Sequence, residues 1–183
     1  MKINSIDLIL ELTKKVQSQV QFAGSLSSSS AEQLNYKSIP KSWSALECIE
    51  HLNLCNAFYI EEINACIHSF NGSPSNYFKG SYLGNKFANR MLPDKKMKKI
   101  KTFKKVNPVY SEISKEKTLS TFKDHLKELE QLLQRAKGVN MTKLKTKTLV
   151  PVFKLRLGNA FQVIIYHNER HIVQAKNMMK NFT

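Results

Sequence analysis

Apolar residues recur every three or four positions along four stretches of this chain, and each stretch predicts a helix. The first covers about Ile6 to Phe22, with Ile6, Ile9, Leu10, Thr13, Val16 and Val20 as its stripe; Gly24 and the run Ser27-Ser28-Ser29-Ser30 end it. The second opens at Ser44-Ala45-Leu46-Glu47, whose spacing is that of a reciprocal cap. Its stripe is Cys48, His51, Leu52, Cys55, Phe58, Tyr59, Ile63 and Cys66, and Asn71-Gly72-Ser73-Pro74 stops it near Phe70. The third runs from about Lys115 to Lys137 on Leu119, Phe122, Leu126, Leu129, Leu132 and Leu133, with Gly138 placed to close it. The fourth follows Gly158 and reaches about Lys180 on Ala160, Ile164, His167, His171, Ala175 and Met178.

Between these stretches the pattern weakens. Ser30-Ala31-Glu32-Gln33 predicts a short helical turn, and Pro40 makes Ile39 to Trp43 a connector. Residues 71–113 are irregular, apart from a short helix expected between Tyr82 and Met91 and closed by Pro93. Lys143 to Arg156 is basic and β-branched, and is read as a loop crossing the fold. The expected fold is therefore all-α: a four-helix bundle with long connections after helices 2 and 3, strands scarce, in a single domain over residues 1–183.

Two of the stripes are broken by imidazoles. His167 and His171 lie one helical turn apart on one face, and His51 interrupts the apolar face of another helix. Rings turned into a helical core need polar partners, and three meeting at one point suit a divalent cation. Zinc, nickel, manganese or iron can use such a set, with zinc or nickel favoured. Buried histidines satisfied by hydrogen bonds are the structural alternative. His68, near a helix end, and His125, among Lys123, Asp124 and Lys127, are read as ordinary surface or structural residues.

Composition narrows the setting. The three cysteines share one predicted helix, and Cys48 and Cys55 would stand about 10 Å apart, beyond disulfide reach of about 7 Å. They read as small buried hydrophobes of a reducing compartment, and a cytoplasmic location is expected because Asp7 and Glu11 interrupt any leader-like apolar run. No stretch has the apolar length of a membrane span. The net charge of +15, from 29 Lys+Arg against 14 Asp+Glu, attracts polyanions. Its candidates are Lys95, Lys96, Lys98, Lys99, Lys101, Lys104 and Lys105, with Lys143, Lys145 and Lys147. No helix-turn-helix, finger or RNA-binding signature accompanies them, so nucleic acid is disfavoured as the main partner.

Trp43-Ser44-Ala45-Leu46-Glu47-Cys48-Ile49-Glu50-His51-Leu52 resembles the W-S-x-x-E-x-x-x-H-L signature of the DinB/YfiT-like superfamily. Tyr166-His167-Asn168-Glu169-Arg170-His171-Ile172-Val173-Gln174 resembles its closing H-x-x-R-H-x-x-Q motif, and the basic Met97 to Pro108 stretch is similar to its lysine-rich connector. The resemblance implies a four-helix bundle with a tri-histidine metal site, carried here by His51, His167 and His171. It also implies homodimers, and, for some members, S-transferase activity with low-molecular-weight thiols such as bacillithiol or mycothiol.

The leading expectation is a metal-dependent enzyme that activates a thiol or water for transfer to, or hydrolysis of, a small substrate; no catalytic residue beyond the ligands is assigned. A lysine-rich nucleic-acid or anionic-surface binder, and a non-catalytic metal-stabilised scaffold associated with stress, are the alternatives. Around the rings, Glu47 is a candidate to orient His51, although its cap position explains it fully. Arg170 is read either as a clamp for a substrate carboxylate or as the partner of a core glutamate, and Trp43 as a core anchor at the helix entry.

Overall fold

The computed structural model describes residues 2–94, 101–111 and 113–182. Lys95, Lys96, Met97, Lys98, Lys99 and Ile100, most of the lysine-rich connector, lie outside the described residues. A short strand, β1 (Lys2–Asn4), leads into helix α1 (Ser5–Ser25), where the Asn4 side chain accepts from the free amides of Ile6 and Asp7. Ser30 caps the short α2 (Ala31–Asn35) in the same way. Helix α3 (Ala45–His68) starts at the expected reciprocal cap: Ser44 Oγ accepts from the Glu47 amide at 3.1 Å, and Glu47 Oε2 accepts from the Ser44 amide at 2.8 Å. Strand β2 (Tyr77–Lys79) and helix α4 (Tyr82–Met91) follow, then α5 (Lys115–Arg135), strands β3 (Lys145–Lys147) and β4 (Lys154–Arg156), and α6 (Leu157–Lys180).

The four long helices form the bundle. Helix α3 packs against both α5 and α6, α1 closes the other side against the same two, and α4 lies on α6. The expected all-α bundle is thus the observed one, with α2 and α4 as short helices in the connections. Its core holds every predicted apolar residue of α5, from Leu119 to Leu133, together with Ile49, Leu52 and Ile63 of α3 and Phe161 and Ile164 of α6. Two expectations need correction. On α1 the buried face is Leu8, Ile9, Leu12, Thr13 and Val16, whereas Ile6, Leu10 and Val20 are exposed. Apolar residues occupy so much of that helix that a second stripe, sharing Ile9, Thr13 and Val16 but rotated by roughly a sixth of a turn, also fits the spacing.

Residues 143–156, expected as a loop, instead form an antiparallel hairpin in which Lys145 pairs with Arg156 and Lys147 with Lys154. Strands β1 and β2 pair likewise, Lys2 with Lys79 and Ile3 with Phe78. No described helix is long and apolar enough to cross a membrane. All three cysteines are free and buried, as their spacing predicted.

Candidate metal centre

Helices α3 and α6 bring together the residues that interrupt their apolar stripes. His51 lies in the second turn of α3, and His167 and His171 face it from the middle of α6. Their rings meet nearly edge to face, with centroids 5.1 Å apart for His51 and His167, 4.7 Å for His51 and His171, and 4.6 Å for His167 and His171. One ring nitrogen from each lies within 4.8 Å of the others, an arrangement that can hold a metal ion and the one such group among the described residues. His51 is buried, and His167 and His171 are intermediate in exposure.

The hydrogen bonds around the rings say which nitrogens point inward. His51 Nδ1 lies 2.6 Å from the Val106 carbonyl and His171 Nδ1 lies 3.0 Å from Gln174 Oε1. Both partners are acceptors, so each Nδ1 carries the hydrogen and each Nε2 is left as a lone-pair donor. His51 Nε2 faces His167 Nε2 at 3.3 Å. Two nitrogens bound at about 2.05 Å to a tetrahedral ion would stand about 3.3 Å apart, so the spacing of this pair fits zinc-like coordination. His167 Nδ1 is buried without a hydrogen-bond partner among the described residues.

Electrostatics keep the rings in their ligating form. Burial lowers the pKa of all three below the ordinary histidine value, His171 to about 3. Repulsion from the neighbouring imidazoles and from the Arg170 guanidinium adds to burial at His167 and His171. Neutral imidazole is the form that binds a cation.

The surroundings complete the picture. Trp43 lies against two of the rings, with centroids 4.9 Å from His51 and 5.9 Å from His171, a placement beside the candidate site that the core-anchor reading did not include. Cys55 Sγ is 3.8 Å from His51 Nε2 but is no member of the cluster, and burial pushes its thiol up to about 12. It stands there as a neutral thiol. Glu47 does not orient His51; it caps α3 and pairs with Lys37 at 2.7 Å, while the Val106 carbonyl takes the orienting position. Arg170 is buried and donates to the Leu92 carbonyl at 3.5 Å. Neither His68, exposed at the end of α3, nor His125, half-buried on α5, joins the cluster.

The family model described as the DinB superfamily matches residues 16–175, which include all three histidines. Comparison with curated proteins finds no match, and comparison with solved structures finds none either.

Proposed function

This chain belongs to the DinB superfamily, and from that premise we propose that it is a metal-dependent enzyme acting on a small electrophilic substrate. His51, His167 and His171 serve as the ligands of one divalent cation, zinc or nickel before manganese or iron, because three neutral imidazoles suit the borderline metals. When bound, such a cation lowers the pKa of a water or thiol and so supplies a nucleophile near neutral pH. The protein acts as one domain over its whole length, in the cytoplasm, and as a homodimer.

The chain's own residues prepare that chemistry. The Val106 carbonyl and Gln174 Oε1 fix two rings with their Nε2 atoms inward, which removes the entropy of aligning them at the moment of binding. Trp43 covers the His51 and His171 rings and excludes water from one side. The partly exposed His167 and His171 mark the side from which substrate enters. Arg170, close enough to repel protons from both, gives the site a positive bias toward anionic groups such as a substrate carboxylate or a thiolate.

The observation that carries this reading is the convergence of three ring nitrogens whose outer nitrogens, in two of the three rings, are already held. Metal analysis of the purified chain, followed by a transferase assay with a low-molecular-weight thiol and a chromogenic electrophile, tests it. Bound metal with thiol-dependent turnover, lost in His167→Ala, is the expected result. A chain that gains no stability from zinc, nickel or manganese removes the metal reading. Full metal loading without turnover of any thiol or ester leaves the scaffold alternative in its place.

A further inference from the structure

The two short ribbons carry an arrangement of charge that neither the fold nor the metal site explains. On β3–β4 the directly opposed residues are Lys145 with Arg156 and Lys147 with Lys154, and on β1–β2 Lys2 opposes Lys79. Every one of these pairs is cation against cation. Opposed side chains in an antiparallel pair stand about 5 Å apart at Cβ, and like charges there weaken the pairing. Lys2, Lys79, Lys145, Lys147 and Lys154 are exposed, while Thr146 and Leu155 between them are buried and fix the outward face of the hairpin.

The two ribbons are joined, since Arg156 Nη1 donates to the Lys79 carbonyl at 2.5 Å. Of the six cations only Lys147 has a carboxylate partner among the described residues, Glu62 at 3.2 Å, and with Lys147 that open to solvent the pair offsets little. Lys143, also exposed, extends the face. The face belongs to the N-terminal end of α6, ten residues before His167, so it lies about 15 Å along the helix from the candidate metal site.

The geometry points to this ribbon face as a docking surface for the phosphodiester backbone of a nucleic acid, bound without sequence preference. Alternate residues on a strand repeat at about 6.7 Å, so the hairpin sets four cations over that length. Duplex DNA carries one negative charge per about 1.7 Å of axis, or roughly four over the same distance. Lysines and one arginine suit phosphate contact rather than base reading, and the exposed Tyr77 ring of β2 is already covered by Lys2, whose Nζ lies 4.0 Å from its centroid. A bilayer is the lesser fit. Its apolar contact would be the exposed Pro151 and Val152 at the hairpin tip, whereas Lys2 and Lys79 sit on the other ribbon.

Titration of the full chain into a short random-sequence duplex, read by anisotropy, tests the assignment. Four phosphate contacts predict a slope of about −3.6 in log K against log salt, a loss of about 150-fold between 50 and 200 mM. The triple variant Lys145→Gln, Lys147→Gln, Lys154→Gln should flatten that slope by about 2.7. Lys154→Glu, which sets a carboxylate opposite Lys147, should weaken duplex binding while raising the melting temperature, an outcome a purely structural role would not give. The assignment is overturned by no duplex binding at 50 mM salt, by unchanged affinity and slope in the triple variant, or by preference for phosphatidylserine vesicles over duplex.

Discussion

The Val106 carbonyl accepts a hydrogen bond of 2.6 Å from His51 Nδ1, so a residue of the connection between α4 and α5 orients a ring on α3. Val106 is itself buried, which holds that connection in place. Val106 therefore belongs to the candidate site. Gln174 makes the corresponding bond to His171 from one turn away, but through a side chain that mutation can remove.

Gln174→Leu keeps helix propensity and volume while deleting the acceptor of His171 Nδ1. The ring then loses both its tautomer preference and its fixed angle. We expect metal affinity to fall by about 10–100-fold with little change in the metal-free melting temperature. Competition against a coloured chelator measures the affinity; an unchanged value would show that Gln174 orients nothing.

Trp43 is the one tryptophan of the chain and lies 4.9 Å from the His51 ring, so its fluorescence should report the metal directly. A paramagnetic cation such as nickel is expected to quench the emission, and zinc to change it without quenching. In His51→Ala both responses should vanish, whereas in His125→Ala, altered on another helix outside the cluster, both should persist. Equal quenching in the two variants would place the bound metal elsewhere.

The metal-free protein should lose stability in mild acid. His51, His167 and His171 have folded pKa values below the unfolded value of about 6.5, because burial disfavours the charged ring. Above that value neither state binds these protons, and the three rings add no pH dependence. Below it the unfolded chain takes them up and the folded chain does not, so stability falls at up to about 1.4 kcal/mol per pH unit for each ring. The loss continues toward pH 3, where His171 protonates in the folded state. Melting temperatures between pH 7 and 5 check this: His167→Leu should show a shallower fall than the parent, and identical slopes would contradict it.

The parts of this architecture that could be read in the sequence are those that repeat locally. Four apolar stripes at helical spacing mark the long helices, and imidazoles breaking two of them mark the three converging histidines. Three features carried no such signal. The strands are three residues long, too short for an alternation to register, and Lys2 finds its partner at Lys79 only after α1, α2 and α3 have intervened. The acceptor for His51 is a backbone carbonyl, which any residue possesses, so nothing in the identity of Val106 announces it. On α1 the excess of apolar residues admitted two phases, and only packing against α5 and α6 selected Leu8 and Leu12 over Ile6 and Leu10. Local pattern thus located the three histidines, while the orientation of His51 came from a contact distant in sequence.

Gly158, at the second position of α6, sets two effects against each other. Alanine there would favour the helix by up to about 1 kcal/mol. Its Cβ would also stand 2.5 Å from the ring of Phe78, which is 2% exposed and held in β2 opposite Ile3, so the ring has nowhere to retreat. Overpacking of this kind costs about 1–3 kcal/mol, and the steric effect should win. Gly158→Ala is expected to lower the melting temperature by several degrees, at about 2–4 °C per kcal/mol for a chain of this size. Adding Phe78→Leu, which withdraws the ring edge, should recover part of the loss even though Phe78→Leu alone destabilises. Because the clash lies two and a half turns from His167, metal affinity should not change in Gly158→Ala. A double variant no better than the sum of its singles would show that the Phe78 ring is not what keeps residue 158 a glycine.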